Sequence, residues 1–228
     1  MHRFRAALFI GLILVGVSVA HAELLWDNFL TNRDGFDGLT YISSEKDTTI
    51  VGTWAGDDAL FAQWVTVTGI EWLAVRDPLY TYTAEVTILN SSLTPMHTFT
   101  DLPYTATVVR DELFDYQAYR GFAEIPPVDL PPGHYYIAAR LACDGAGANK
   151  MLSTGGGTIN GVTMGVFQSD HFGIPWSLLG DLGAPQTDLG YRIYGTPEPA
   201  AFVLLAAGAL VLRRRRRTWT GVSSFWSP

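Results

Sequence analysis

Cysteine is almost missing from this chain. Cys143 stands alone among 228 residues, so no intramolecular disulfide can form. A chain without bridges draws its stability from packing or from bound ligands. Cys143 itself reads as a small apolar residue buried on a strand. Charge is also scarce, at 16% of residues against a hydrophobic fraction of 48%. That balance excludes intrinsic disorder and allows a real core. Helical periodicity is lacking as well: between residues 23 and 195 no window keeps a helical period over roughly twelve residues.

The signatures of catalysis and metal binding are missing too. The three histidines of the body, His97, His134 and His171, lie in separate segments, with no HExxH and no Cys/His cluster. Zinc is therefore not expected. No Gly-x-Ser-x-Gly occurs, and Cys143 carries no nucleophile signature. The run "STGGGTING" (153–161) lacks a Gly-Lys-Ser/Thr ending and opens no helix. It reads as a flexible or bulged connection rather than a phosphate loop. We expect no catalytic activity. A two-carboxylate glycoside hydrolase remains the lesser alternative, because its acids meet only in the fold.

Basic residues are few where acids are many. The net charge of −7 hides a segregation, with Arg3 and Arg5 at the front and five arginines at the back. Between them stand eight basic and 22 acidic residues, a net of −14. Such a body repels phosphate backbones, so nucleic acid is not an expected partner. Two acidic stretches, Asp34-Gly35-Phe36-Asp37-Gly38 and Asp57-Asp58, resemble oxygen-rich turns. They read first as turn-forming, solvated aspartates. A structural calcium is the alternative, although neither stretch matches an EF-hand loop. No other cofactor is expected.

What the chain does have is strands. Aromatics make up 13% of residues, with 23 glycines and 12 prolines to punctuate them. In "YTYTAEVTIL" (80–89), Tyr80, Tyr82, Ala84, Val86 and Ile88 share one face, and Thr81, Thr83, Glu85 and Thr87 the other. That period of two predicts a half-buried strand. Further strands are expected at 63–68, 70–76, 105–110, 116–125, 135–143, 162–168 and 191–194. Asp77-Pro78 and Pro126-Pro127 break connections. In "VDLPPGHYYIAARL", Pro132-Gly133 suits the centre of a type II turn. The sum is an all-β chain, an antiparallel sandwich with jelly-roll-like topology. Five tryptophans lie in this body. Trp64 and Trp72 fall in alternating patterns and are expected in the core, whereas Trp176, beside Pro175, is the candidate exposed loop aromatic for carbohydrate contact.

The two ends have a different character. Residues 1–22 read as a signal peptide: a basic start at Arg3 and Arg5, an apolar run from 6 to 20, and small residues Ala20 and Ala22 before the cut. Near the other end stands "TPEPAAFVLLAAGALVLRRRRR" (196–217), in which thirteen apolar residues, 200–212, run into Arg213, Arg214, Arg215, Arg216 and Arg217. As a helix those thirteen residues span about 20 Å, short of a hydrocarbon core of ~30 Å. Snorkelling arginines extend its reach. Carrying five arginines across would cost about 2.5–3.5 kcal/mol each, which keeps them in the cytoplasm and the body outside.

Pro197-Glu198-Pro199, an apolar helix and a basic cluster, in that order, resemble the PEP-CTERM sorting signal of bacteria that make exopolysaccharide. The body more loosely resembles β-rich PEP-CTERM proteins of planctomycete-like bacteria, in "LGYRIYGTPEP" and "GGGTINGVTMGVFQS". The resemblance implies recognition and processing at Pro-Glu-Pro by a membrane-embedded exosortase, after signal peptidase has acted. It departs from the pattern in one respect, since residues 218–228 follow the arginines. The domains expected are thus a signal peptide (1–22), a β-sandwich (23–195), the sorting signal (196–217) and a cytoplasmic tail (218–228). The expected function is that of an exported envelope or matrix protein, held for a time in the inner membrane, then released to the cell surface or matrix. Its body would associate with exopolysaccharide, and a carbohydrate-binding module is the alternative.

Overall fold

A computed structural model describes residues 22–28, 41–46, 52–113, 116–143, 149–152, 165–183 and 189–197. The expected signal helix and apolar helix, with Ala20, Glu198, Pro199 and the arginine run, lie outside them. So do Asp34, Asp37 and the glycine-rich run 153–161. The strands are β1 (Glu23–Asp27), β2 (Tyr41–Ser43), β3 (Glu45–Lys46), β4 (Thr53–Phe61), β5 (Val65–Arg76), β6 (Thr83–Asn90), β7 (Pro95–Leu102), β8 (Tyr104–Leu113), β9 (Tyr116–Leu130), β10 (Gly133–Ala142), β11 (Asn149–Leu152), β12 (Val166–Ser169), β13 (Ile174–Leu178) and β14 (Tyr191–Pro197). Among the described residues the only helical turn is a 3-10 turn at Leu179–Leu182, and no helix is long and apolar enough to cross a membrane. The chain divides into a unit ending at Thr196 and a second beginning at Pro197, of which Pro197 alone is described.

The strands form two seven-stranded antiparallel sheets, the layers of a β-sandwich. In the first, β5 is central: β9 and then β8 lie on one side, and β14–β1 and β11–β2 lie on the other. The second runs β13-β12-β4-β10-β6-β7, with the two-residue β3 pairing parallel to β10. Alternation along each strand sends every second side chain into one core between the sheets. Val67, Ile70 and Trp72 enter it from β5, and Val86, Ile88, Ile137 and Leu141 from the other layer.

Trp72 shows how tightly that core is fitted. Its ring is fully buried, its Nε1 donates to the Tyr119 hydroxyl at 3.1 Å, and it lies against Gly121, its cross-strand partner. A Cβ at Gly121 would come within 2.5 Å of the indole. Gly121→Ala is therefore expected to cost about 1–3 kcal/mol through overpacking. It should lower the urea midpoint without changing the slope of the transition.

The second tie between layers is polar. Ala55 of β4 and Ala139 of β10 stand opposite each other, yet two hydroxyls intervene between their peptide groups. Ser44 Oγ accepts from Ala55 N (3.0 Å) and donates to Ala139 O (2.6 Å). On the other side Tyr191 Oη accepts from Ala139 N (2.8 Å) and donates to Ala55 O (2.9 Å). Tyr191 reaches there from β14, so a residue of the first sheet completes the ladder of the second.

Several expectations are corrected here. Segments 63–68 and 70–76 are one strand, β5, with an irregularity between Val67 and Gly69. Pro126-Pro127 does not break the chain. Both lie within β9, opposite that same irregularity and beyond the last β8 pair at Ala123, where their missing N–H groups cost no ladder bond to β8. Gly133 is not the left-handed residue of a type II turn: among the described glycines only Gly173 and Gly183 have positive φ. Gly133 opens β10, and the link Pro131-Pro132 carries the chain from one sheet to the other, where no hairpin turn is needed. Cys143 is not on a strand; it follows β10 and is half-buried in the wall of a cleft. The strand at 80–89 begins only at Thr83, Tyr80 is exposed, and its polar face is buried too, with Glu85 and Thr87 at 1% and 2% exposure.

Candidate functional site

Asp57 and Asp58 are not a solvated turn. They sit in the middle of β4 at 2% and 1% exposure. Successive strand residues point to opposite faces, so the two carboxylates cannot share one cation. Asp57 turns inward, where its Oδ2 accepts from Asn28 Nδ2 (2.6 Å) and Leu189 N (3.0 Å). Asp58 turns outward and meets His134 Nε2 at 2.9 Å. Among the described residues no three His, Cys, Asp or Glu side chains group together as a metal site would require.

The outer face of the second sheet carries a closed charged cluster. Glu85 of β6 stands directly opposite Arg140 of β10. Glu85 Oε2 accepts from Arg140 Nε (2.6 Å) and Nη2 (2.6 Å), while Lys46 Nζ reaches Oε1 at 2.9 Å. The Arg140 guanidinium lies 4.0 Å from the ring centre of Trp54. Burial pushes Arg140 below its usual range, and the Glu85 carboxylate opposes that shift. Trp176 packs on this group, 6.2 Å from Trp54, as a half-buried member of β13. It is not the exposed loop aromatic that the sequence suggested, because Pro175 lies within a strand rather than a loop. Trp64 departs in the opposite sense: it lies in the β4–β5 turn, 47% exposed, and outside the core. The described histidines stay apart, His97 stacking on Phe99 and His171 meeting Phe172 edge-on.

A cleft of 460 Å³ adjoins this cluster, lined by Lys46, Tyr82, Glu85, Asp101 and Cys143. Of its charged groups, Lys46 and Glu85 are already engaged with each other. The outer face of the first sheet carries a second cleft. There β5 contributes Thr68 and Glu71, β9 contributes Phe122 and Glu124, and β14 contributes Tyr194, around a cleft of 580 Å³ that Ala22 also lines. Register brings them together: Glu124 stands opposite Gly69, and Phe122 opposite Glu71. Gly69 matters because it has no side chain. A Cβ there would come within 2.8 Å of two Phe122 ring carbons, so the ring lies over bare backbone. Tyr194 meets Phe122 edge-on, with ring centres 5.7 Å apart and planes at 84°.

The polar rim of this cleft is ordered. Tyr194 Oη donates to Glu71 Oε2 at 2.8 Å, and Arg192 Nη1 reaches the same oxygen at 3.5 Å. Arg192 Nε donates to Asp27 Oδ1 at 3.0 Å. Burial works against the charge of Arg192, but the bond to Asp27 and the carboxylates of Asp27 and Glu71 together raise its pKa. Burial, and then donation to Glu71, also raise the Tyr194 hydroxyl, which therefore stays a proton donor at neutral pH. Glu124 is exposed.

Sequence reasoning missed this site. The strand read at 116–125 did hold a signal, since the period of two puts Phe122 on one face with Arg120 and Glu124. An aromatic ring among outward charges is unusual on a strand face. Which strands would flank it depended on β5–β9 and β14 register, which sequence spacing does not encode.

Of the predicted functional positions, Pro197 ends β14 and Ala22 immediately precedes β1. No protein-family model matches the chain, and no characterised protein matches it in sequence.

Proposed function

We propose that this is an exported envelope or matrix protein, without catalytic activity of its own, that an exosortase sorts and processes at Pro197-Glu198-Pro199. Arg213 to Arg217 hold its tail on the cytoplasmic side until then, and signal peptidase cuts after Ala22. The observation that carries the reading is the order of the C-terminal elements: Pro-Glu-Pro, thirteen apolar residues, five arginines. The fold supports it in one respect. β1 and β14 pair antiparallel with Glu23 opposite Gly195, so the chain enters and leaves the body side by side. Strand order also supports the jelly-roll-like reading, since β4, β5 and β6 alternate between sheets while β9 returns beside β5 and β10 between β4 and β6.

Replacing Pro197, Glu198 and Pro199 by alanine in the native host tests the routing. The expected result is a chain that keeps its full C-terminal mass and stays with the inner membrane. Unchanged mature mass and location would overturn exosortase processing.

A second reading, that the body binds exopolysaccharide as a carbohydrate-binding module, draws on the aromatic and carboxylate cleft of the first sheet. Phe122, Tyr194, Glu71 and Glu124 supply a stacking surface beside hydrogen-bonding groups. Retention of the folded chain on host polysaccharide is the expected result, and no retention would end this reading.

A further inference from the structure

We propose that the cleft on the outer face of the first sheet is a binding site for an uncharged sugar ring, with Phe122 as its stacking floor. The proposal rests on the reading that the body associates with polysaccharide, and it assigns that association to particular residues. Pyranose rings have one apolar C–H face and a rim of hydroxyl donors. The cleft answers both features. Phe122 is half-buried across Gly69, Tyr194 braces it edge-on, and Thr68 supplies a hydroxyl beside it. Glu71 and Glu124 supply carboxylate acceptors on either side of the ring, one opposite Phe122 itself and the other opposite Gly69. A volume of 580 Å³ falls in the range of about 300–1,000 Å³ typical of small-ligand sites.

Charge decides which sugars fit. Among the described residues no lysine or arginine lines the cleft, and Arg192, the cation at Glu71, is already committed to Asp27 and Glu71. A uronic acid or sulfated sugar would bring an anion beside Glu124 and Glu71, charged residues that line the cleft, in a body already carrying an excess of acids. Neutral hydroxyls, in contrast, donate to both carboxylates at no such cost. Glu71 is preset for this role, because Tyr194 and Arg192 fix one of its oxygens and leave the other for a ligand.

The test titrates the purified full chain, kept in mild detergent, with neutral cello-, manno- and galacto-oligosaccharides of five units and with pentagalacturonate. At least one neutral oligosaccharide should bind saturably. Phe122→Ala should raise its Kd tenfold or more, Glu124→Gln should raise it severalfold, and Trp176→Ala should leave it unchanged. Glu124 is exposed, so its variant serves if Phe122→Ala does not fold. Binding that survives Phe122→Ala in a folded chain, or tighter binding of the acidic oligomer, would overturn the site. So would release of reducing ends that Glu124→Gln abolishes, since the cleft would then be hydrolytic. If the chain is retained on host polysaccharide but Phe122→Ala is retained equally, the site fails and the wider glycan reading stands. If neither the oligosaccharides nor the polysaccharide bind, both fail.

Discussion

Glu85→Ala should be among the most damaging single substitutions in this protein, lowering stability by about 3–5 kcal/mol. For a domain of this size that corresponds to roughly 6–20 °C in Tm. The cause is not the loss of an attraction but what it leaves behind. Arg140 has 9% side-chain exposure, and Glu85 is its direct cross-strand partner on β6. Without the carboxylate, a guanidinium remains buried over Trp54, its lost hydration offset by the ring quadrupole, a contact worth about 0.5–2 kcal/mol, and by the charge of Asp170. Lys46 cannot take the place of Glu85, since it carries the same sign. Two further variants separate this account from simple cavity formation. Lys46→Ala, at a side chain 47% exposed, should cost less than about 1 kcal/mol. The double variant Glu85→Leu/Arg140→Met should recover most of the loss, because an apolar pair of similar volume removes both charges together. Urea unfolding of the three variants decides the matter. A double variant as unstable as Glu85→Ala would mean that packing, and not the orphaned charge, sets the cost.

The same cluster explains part of what could not be read in advance. In "YTYTAEVTIL" the alternation was legible, and it put Ala84, Val86 and Ile88 in the core. It also implied that the opposite face meets water, because Glu85 and Thr87 are polar. Both are buried, Glu85 by Arg140 and Lys46, and Thr87 by its bonds to the β7 backbone at His97 and to Thr98. A strand interior to a sheet is covered by neighbours whose identity no local period reveals. β4 was missed for a related reason. "TWAGDDALF" carries two adjacent carboxylates and a glycine, which resemble a turn, yet each carboxylate finds its partner far along the chain, Asp57 at Asn28 and Leu189, Asp58 at His134. β7 escaped because it is largely exposed at the edge of the sheet, so its side chains show no buried period at all.

Long-range partners also account for the aromatics. Trp72 could be assigned to the core because its own strand alternates cleanly. Trp64 was misread because it was counted into the alternating pattern of 63–68, and Trp176 because the neighbouring Pro175 was taken as the sign of a loop. A tryptophan in the turn after Phe61 lies outside the core whatever its pattern, and Pro175 is tolerated within β13 because that strand is the sheet edge. The candidate cleft is the extreme case. Phe122, Glu124, Glu71 and Tyr194 occupy outward strand positions, and only the pairing of β9 with β5, and the approach of β14, gives Phe122 a glycine to lie on.

Tyr191→Phe should be the second large loss, at about 2–4 kcal/mol for a single oxygen atom, because two backbone groups are left without partners. The ring is 1% exposed and its shape is kept, so no cavity forms. What disappears is the acceptor for Ala139 N–H and the donor to Ala55 C=O. Those two groups face each other across a gap that the phenyl ring still holds open, so they cannot close onto one another. Burial raises the pKa of this hydroxyl, which therefore stays protonated and able to serve both roles throughout the physiological range. Amide exchange locates the effect: Ala139 N–H should lose protection in Tyr191→Phe, while Ile137 N–H, two residues back on the same strand, should keep most of its own. Ser44→Ala should expose the complementary pair, Ala55 N–H and Ala139 C=O, with a similar loss. If the two hydroxyls act as one relay, the double variant should cost less than the sum of the singles, because each single variant already loosens the Ala55–Ala139 junction that both hydroxyls bridge. Strict additivity would mean that the gap between β4 and β10 is held by other contacts. Tyr191 also begins β14, the strand that leads to Pro197. Loosening its anchor should make the segment before Pro-Glu-Pro more accessible to proteolysis, so cleavage near Thr196 by an added protease should quicken in Tyr191→Phe and not in Gly121→Ala. That contrast would tie the inter-sheet hydroxyl to the strand from which the chain departs.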